Sequence, residues 1–554
     1  MPIAYWASPG VLRLFATLGG LGDSVEARQG LITADNGRFM RRWWEPSGHR
    51  TEFPKAHTDA LRSDKRWFPY NKGGLFRKWY GNGEFVVNWE NHGREIKGFA
   101  DSSGKQLSRP QNTQFYFRES VSWSDVTADV NSFRWYPPGY IFDATGHSAF
   151  SDNVSVFQLL AMLNTKLMQN IAKILNPTMH FHVGYFRLLP AALLPESDVK
   201  VLVTEAISTS RQDWDNFETS WDFRDQPLLR PGLKGATLEA SWRNWEAQST
   251  AAIRRMQELE TENNRLFIAA YGLDGELQPE VPPEQITLAR AEARRDMAAF
   301  LSYAVGCMMG RYSPDYPGLV FANSGNEKFW DIYHEKHERD KDGNFSCNSC
   351  ISWSTYPPDE DGILPVLDGE WFEDDIVARA KEFLRATFGD ESLNTNIQFI
   401  EQSLGKELRK YFLTDFYKDH LQTYKKRPIY WLFSSGKQRA FQCLVYLHRY
   451  HEGTLARMRT EYAIPLQGRI ASRIEQLDGD KLKATSTSHR NKLQKEQDDL
   501  KKKQAELLIF EQKLKHAADQ KIALDLDDGV KVNYAKFGDL LAESKAICGT
   551  KEED

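Results

Sequence analysis

The sequence predicts an α+β fold, with mixed strand and loop over the first 190 residues and mainly helix afterwards, ending in a helical hairpin. Short runs of strand composition occur in the first part, whereas apolar residues at helical spacing recur after residue 154. Towards the end, leucines repeat every seven residues, the spacing of packed helix pairs. A hydrophobic content of 41% in 554 residues supplies several cores.

In the first part, residues 86–89, 114–117 and 179–183 have strand composition, and the last two also alternate with period two. Residues 154–175 change to a helical pattern with apolar residues on more than one face, which predicts a buried helix. The residues that carry the pattern are Leu160, Leu163, Leu167, Ile171 and Ile174.

The middle of the chain predicts more helix. Residues 247–266 and 286–309 are the clearest helices, and a proline-rich segment at 278–283 separates them. Residues 331–370 contain the Gly, Pro, Asp and Asn typical of loops, and residues 371–470 return to helix.

Residues 452–520 predict a helical hairpin. One arm carries Leu493, Leu500, Leu507 and Leu514, the other carries Ile470, Ile474 and Leu477, and a polar turn at 478–488 joins them. A zipper dimer is the alternative. Gln497, Gln504 and Glu511 occupy the complementary heptad position, which weakens a long parallel coil and favours an intramolecular antiparallel pair.

Composition limits the classes of protein. No run approaches the ~20 apolar residues that cross a bilayer, and the N-terminus lacks the pattern of a secretory signal. Five Cys, only two of them close together, indicate a reducing cytoplasm and no disulfide scaffold. The net charge of −5 is uneven: residues 1–100 carry +5, and eight of the 16 Trp precede residue 150. Polyanion binding is therefore expected in the first quarter.

The stretch from residue 67 to residue 92 is the most informative. It contains three Trp, two Tyr, three Lys or Arg and a Gly-Gly pair. Cations meet phosphates and aromatic rings stack on bases, so this composition is typical of a nucleic-acid surface. Glycines let backbone approach a ligand closely. The alternative is that the Trp residues build a core.

Eight segments in order resemble the PglX-like adenine-specific DNA methyltransferases of BREX phage-defence systems, and more distantly type IIG restriction-modification enzymes. The first three resemble the target-recognition region of that family. The segments are 29–45, 67–92, 133–150, 213–221, 302–312, 357–365, 427–433 and 527–534.

The chain departs from the family where catalysis would lie. Adenine methyltransferases carry a glycine-rich turn for S-adenosylmethionine and an Asn or Asp before Pro-Pro and an aromatic residue. The three Pro-Pro pairs, at 137–138, 282–283 and 357–358, follow Tyr136, Val281 and Tyr356. The glycine pairs at 20–22 and 81–83 have no third Gly three residues on, and a hairpin explains the second better. The resemblance therefore implies the C-terminal portion of such an enzyme, beginning after the methyltransferase domain.

Two constellations are the candidate DNA-binding residues. Small polar and Arg side chains beside a Trp pair could position phosphates or read base edges, unless they form a solvated turn. The first constellation comprises Thr33, Asn36, Arg38, Arg41 and Arg42. The second comprises Lys72, Arg77, Lys78, Trp79, Tyr80, Trp89, His92 and Arg94, and its alternative is a packed hairpin with charged faces. Further candidates are Ser122, Trp123, Ser124 and His147.

Metal and nuclease sites are weaker hypotheses. His334, His337, Cys347 and Cys350 have zinc-ligand spacing, but two thiols in a solvated loop are favoured. The acidic groups at 357–361 and 373–375 lack a Lys two residues after a carboxylate, which disfavours a metal-dependent nuclease. No catalytic residue is predicted.

The residue patterns divide the chain into five segments, and the resemblance implies that the first, residues 1–190, is the DNA target-recognition domain. The others are a helical scaffold at 191–330, a mixed loop and helical domain at 331–451, the hairpin at 452–520 and a tail at 521–554. The family uses S-adenosylmethionine, and no cofactor is expected on this chain.

The implied partners follow from the family. They are double-stranded DNA, an N-terminal methyltransferase domain or subunit, other BREX proteins and acidic phage proteins that mimic DNA; no membrane is expected. Two other classes stay open: a stand-alone DNA-binding protein without a methyltransferase role, and a protein-binding scaffold that would show no salt-sensitive affinity for DNA.

Overall fold

A computed structural model describes residues 7–53, 56–126, 131–326, 328–338 and 355–549. These residues form two compact units. The first comprises the described residues of 1–223 and 245–291, and the second those of 224–244 and 292–551. Helix predominates and the strands form small sheets, so the predicted α+β class is confirmed. The limits of the five predicted segments stay a prediction.

The strands of the described residues are short. They are β1 (Glu26–Arg28), β2 (Met40–Arg42), β3 (Trp67–Asn71), β4 (Phe85–Asn88), β5 (Ser120–Ser124), β6 (Arg134–Tyr136), β7 (Ile141–Phe142), β8 (Gly146–Phe150), β9 (Ile363–Pro365), β10 (Tyr430–Ser434) and β11 (Gln442–Tyr446).

The α-helices vary from one turn to 33 residues. Before residue 292 they are α1 (Pro9–Thr17), α2 (Asn36–Phe39), α3 (His57–Arg62), α4 (Glu90–Lys97), α5 (Val156–Leu163), α6 (Lys166–Leu175), α7 (Val183–Arg187), α8 (Glu196–Trp214) and α9 (Leu238–Ala270). After it they are α10 (Ala293–Met308), α11 (Phe329–Glu338), α12 (Ile376–Phe388), α13 (Leu393–Leu404), α14 (Leu408–Tyr411), α15 (Tyr417–Thr423), α16 (Thr454–Arg457), α17 (Ile464–Lys483), α18 (Thr487–Asp519), α19 (Gly529–Ala535) and α20 (Ser544–Cys548).

The first unit contains two four-stranded sheets. One has the order β1-β8-β5-β6 and is antiparallel throughout. The other has the order β2-β4-β3-β7, in which only β7 runs parallel to its neighbour. Every residue of β3, β5 and β8 is buried, which is the burial of strands covered on both faces. The second sheet packs on an aromatic core that includes Phe68, Tyr70, Trp89 and Phe142.

The second unit contains the antiparallel sheet β10-β11-β9 and the helical hairpin. Helices α17 and α18 pack against each other within the chain, as the intramolecular hypothesis expected. Leu500, Leu507 and Leu514 lie buried in the same core as Trp431 and Phe433 of the sheet. The heptad leucines therefore fill the interior of this unit.

Several local predictions agree with the structure. The strand predicted at 86–89 is β4, which pairs with β3. The loop that connects the two strands, residues 72–84, contains the second glycine pair. The helix at 154–175 is present as α5 and α6, because Asn164 ends the first and the Thr165 hydroxyl caps the second.

Other local predictions were wrong. Residues 114–117 are not a strand: Thr113–Phe115 form a 3₁₀ helix and a turn follows, because Phe115, Tyr116 and Phe117 all enter the aromatic core instead of alternating. Residues 179–182 are extended with a single bridge, and α7 begins at Val183. Residues 286–292 precede α10 as irregular chain. The interval 371–470 contains β10 and β11, whose aromatic and β-branched residues favour strand.

Candidate nucleic-acid interface

An exposed turn follows β4 in the first unit, and its backbone is strained. Asn91, His92 and Gly93 all have left-handed φ angles, of 53°, 59° and 74°. Two of them are not glycine, which is uncommon. A Cβ on Gly93 would lie 2.6 Å from the Trp89 ring, so glycine is required where the turn packs on this buried Trp. Observed backbone strain of this kind is a pointer to function.

Cationic side chains surround this turn. Arg38, His92, Arg94, Lys97 and Lys105 are all exposed, and we call them the basic turn. Short contacts join the chain segments that carry these cations. Arg38 pairs with Glu95 at 2.8 Å, and the Gln106 side-chain amide donates to the Lys97 carbonyl at 3.1 Å. The Lys97 ammonium lies 5.0 Å from the centre of the Trp89 ring. The surface can therefore meet a polyanion with its cations, while the Trp89 ring beneath Lys97 is buried.

A second exposed feature is the loop that follows β3. Gly73 and Gly74 have φ angles of 80° and 133°, and the Ser124 hydroxyl donates to the Gly74 carbonyl at 2.9 Å. Beyond them Leu75 is 78% exposed and Phe76 is 42% exposed. We call residues 72–76 the glycine loop. It presents two large apolar side chains to solvent on a backbone that only glycine adopts readily.

The next residues of this stretch turn inward and anchor the first unit. The Lys78 ammonium and the Trp79 indole nitrogen both contact the Glu260 carboxylate, at 2.7 and 2.8 Å, and all three side chains are buried. Arg77 pairs with Asp213 at 2.8 Å and donates to the Ser210 carbonyl at 3.0 Å. These cations are neutralised inside the protein.

Most of the first predicted constellation is also internal. Arg42 is buried, pairs with Glu84 and stacks 3.9 Å over the Phe85 ring. Arg41 is buried and donates to the Met40 carbonyl at 2.6 Å. The Thr33 hydroxyl is 2.5 Å from the half-buried Asn36 amide oxygen. Of this group Arg38 alone is exposed.

The remaining predicted residues lie at different depths. Lys72 is half-buried with Asp143 at 3.6 Å, whereas His92 is exposed. Trp123 is buried and stacks on Phe186 with ring centres 4.5 Å apart. Tyr80, Trp89, Ser122, Ser124 and His147 are buried as well. DNA contact by each of these residues stays a prediction.

His147 belongs to a cluster that sequence reasoning missed. Its Nε2 lies 3.2 Å from Asp125, and Nδ1 of His180 and of His182 approach the same carboxylate at 2.9 and 3.1 Å. Burial would raise the pKa of Asp125, but hydrogen bonds from His147 and His180 lower it to about 2. The alternation of His180 and His182 was the available signal, whereas Asp125 lies 55 residues from the first of them.

The other predicted sites have different outcomes. Cys347 and Cys350 lie outside the described residues, as do the side chains of His334 and His337. Asp361 and Asp374, from the two acidic groups, come together at the Tyr462 hydroxyl, at 3.1 and 2.7 Å. Burial and neighbouring Asp359 raise the pKa of Asp361 to about 8.

Neither glycine pair fits S-adenosylmethionine. A Cβ on Gly22 would meet Arg187 side-chain atoms, and one on Gly20 the Arg187 carbonyl. Gly81 packs against Arg77 and Trp214, and Gly83 against Tyr140 and Trp221. Protein atoms already occupy the space beside both glycine pairs, so neither turn leaves room for a phosphate group or a cofactor. None of the helices in the described part of the chain combines the length and the hydropathy that a membrane span requires.

Comparison with known proteins shows two relatives along nearly the whole chain. "Adenine-specific methyltransferase PglX" of Lacticaseibacillus casei (strain Zhang) is 39% identical over 552 residues, which cover 97% of this chain and 44% of that protein. "Adenine-specific methyltransferase BrxX" of Escherichia coli O9:H4 (strain HS) is 38% identical over 589 residues, covering 100% and 46%. The chain thus spans less than half the length of these relatives. No family model matches.

Proposed function

The chain is a homologue of part of the PglX-like adenine-specific methyltransferases, and from this premise we propose that it selects the DNA target and clamps the duplex for such an enzyme. The catalytic motifs and S-adenosylmethionine would come from an N-terminal methyltransferase domain or subunit. Extruding an adenine costs a few kcal/mol, and contacts of the clamp offset that cost.

The basic turn carries this proposal. Arg38, Arg94, Lys97 and Lys105 are four exposed cations of the first unit. Arg38 also pairs with Glu95, whereas Arg94 has no ion-pair partner among the described residues. Contacts of Arg and Lys with phosphates position a protein on the duplex without reading its sequence. His92 lies in the same turn, is exposed, and is the predicted residue that we assign to a base edge.

The glycine loop supplies a different contact. Proteins that deform DNA insert apolar side chains between base steps, and Leu75 and Phe76 are exposed and adjacent. The positive φ angles of Gly73 and Gly74 set the backbone shape of the loop that carries these two side chains. We assign these two residues to the duplex distortion that accompanies target recognition.

Salt dependence of duplex binding tests the proposal directly. If four cations each meet one phosphate, the slope of log affinity against log salt is roughly −3 to −4. Arg94→Ala should reduce the magnitude of the slope by about 1 and weaken all duplexes alike. Arg13→Ala, which removes the same charge from an exposed position on α1, should leave the slope unchanged. Fluorescence anisotropy over a salt series measures both.

A flat salt response of the full chain would contradict the DNA proposal and favour the scaffold alternative. An acidic protein that mimics DNA provides a second readout, since it should compete with duplex for the same surface. Loss of that competition in the Arg94 variant, with no change in the Arg13 variant, would place the competitor on the basic turn.

Methyl transfer tests the division of labour. The chain alone, incubated with labelled S-adenosylmethionine and duplex DNA, is expected to transfer no methyl groups above background, because both catalytic motifs are absent from the sequence. Addition of a separately expressed methyltransferase domain from the same family should allow transfer at adenine. Activity of the chain alone, from cells without other methyltransferases, would disprove this arrangement.

A further inference from the structure

We propose that Asp125, His147 and His182 bind a divalent transition-metal ion in the first unit, with Zn²⁺ as the first candidate. The site goes beyond the proposed DNA function and does not depend on it. Imidazole nitrogens and a carboxylate oxygen form a common donor set for such ions.

The distances match what a bound ion requires. One ligand atom from each residue lies within 4.8 Å of the other two. Asp125 Oδ1 is 3.2 Å from His147 Nε2 and 3.1 Å from His182 Nδ1. Ligand atoms about 2.0–2.1 Å from zinc are separated by roughly 3 Å in usual geometries. Two of the three distances between the ligand atoms are therefore already those found between ligands of one bound ion.

The local fold brings the donors together. His147 lies in β8 directly opposite Trp123 of β5, and Asp125 follows the end of β5. Residues 180–182 are extended, so His180 and His182 project to the same side while Phe181 points into the core. The Phe181 N–H donates to the Asp125 carbonyl at 2.8 Å, and the Trp123 indole donates to the Phe181 carbonyl at 2.8 Å. Backbone contacts thus fix the register of all three ligands.

His180 has a positioning role in this site. Its Nδ1 contacts Oδ2 of Asp125 at 2.9 Å, leaving Oδ1 to the other two histidines. A hydrogen bond to the second oxygen orients a ligating carboxylate. The His180 and His182 side chains are 55% and 51% exposed, so an ion can reach the cluster from solvent.

His147 would bind the ion from inside the protein. Its side chain is fully buried, and Nδ1 has no hydrogen-bond partner among the described residues. Because Nε2 faces Asp125, the ring carries its proton at Nδ1 when Nε2 binds an ion. A metal–nitrogen bond at Nε2 would offset the cost of burying this ring.

Zinc binding to the full chain tests the proposal. The background is the double variant Cys347→Ser and Cys350→Ser, which removes thiols from the other zinc hypothesis. After removal of metal with a chelator, titration with Zn²⁺ against a competing indicator should give one site. His182→Ala and Asp125→Asn should abolish it, and His180→Ala should weaken it about ten-fold while keeping the stoichiometry. His489→Ala, an exposed histidine on α18, is the matched control.

Cobalt substitution in the unmodified chain gives a readout that does not depend on the cysteine variants. A site of nitrogen and oxygen ligands should show visible d–d bands that disappear in His182→Ala, without a thiolate-to-cobalt charge-transfer band. In His180→Ala the bands should persist at saturating cobalt, which separates a positioning role from a ligand.

Thermal unfolding reports whether the ion binds the folded state. Zn²⁺ should raise the Tm of the background protein and of His489→Ala, and leave that of His182→Ala unchanged. The proposal is overturned if no zinc binds, if the titration is the same in the Asp125 and His182 variants, or if only the cysteine variants lose metal.

Discussion

At the scale of single residues, Lys78 carries the clearest stability prediction. Its ammonium and the Trp79 indole share the buried Glu260 carboxylate, and Trp79 itself has a left-handed φ of 71°. Lys78→Ala removes one partner of a buried ion pair and leaves an uncompensated charge. The free energy of unfolding should fall by about 3–5 kcal/mol.

Lys105→Ala is the control, because this lysine is exposed on the basic turn. Its effect on unfolding should be within about 0.5 kcal/mol. Urea titration followed by circular dichroism measures both variants. Equal midpoints for Lys78→Ala and the parent protein would show that the pair contributes nothing to stability.

The same residues show what local sequence can reveal. The stretch around Lys78 is rich in cations and aromatic rings, which is equally typical of a DNA surface and of a buried anchor. Its partner Glu260 lies 182 residues away, so no local pattern distinguishes the two. His92 and Arg94, by contrast, follow a strand and flank Gly93, a position where exposure is usual.

At the scale of elements, the hairpin is where sequence reasoning succeeds. Leu493, Leu500, Leu507 and Leu514 contact the partner helix or the sheet core because a seven-residue period keeps them on one face. The turn was predicted at 478–488, but it is shorter in the structure, because α17 continues to Lys483 and α18 begins at Thr487. Where apolar residues enter a core without a period, as at 114–117, the prediction fails.

Truncation of a hairpin leucine should test this core. Leu507 is fully buried, and Leu507→Ala should lower the free energy of unfolding by about 2–5 kcal/mol through lost contacts and a cavity. Leu482→Ala, at an exposed position near the end of α17, should have little effect. Chemical denaturation compares the two, and a Leu507 variant as stable as the Leu482 variant would refute this packing.

At the scale of the whole molecule, stability should respond to pH through Asp361. Its pKa is raised to about 8 in the folded second unit by burial and by Asp359, above the ordinary value of 3.8. The folded state therefore holds a proton that the unfolded state releases. The stabilisation of the folded state by this bound proton is complete below pH ~4 and is lost as pH rises through 8.

Asp361→Asn cannot ionise and supplies the comparison. The stability of the parent relative to this variant should decline between pH 5 and pH 8, by up to about 1.4 kcal/mol per pH unit. Denaturant midpoints measured for both proteins across this range provide the test. Parallel pH profiles would show that Asp361 has the same pKa in the folded and unfolded states.

The two units also set the limit of sequence reasoning at this scale. The first unit combines residues before 224 with the segment 245–291, so its anchors come from chain positions that no linear division groups together. Asp125, His147 and His182 show the same limit: three ordinary residues become one candidate site only when two strands and an extended segment meet.

The left-handed backbone of Asn91, His92 and Gly93 has a consequence for the kinetics and entropy of binding. A flexible loop loses roughly 1–2 kcal/mol of conformational freedom per residue when a ligand orders it. Here part of that loss occurs during folding, since the Gly93 N–H donates to the Trp89 carbonyl and Gly93 packs on the buried Trp89 ring. Under the proposed function the duplex would meet a preorganised turn, and association should proceed by rigid docking with little change in backbone order parameters.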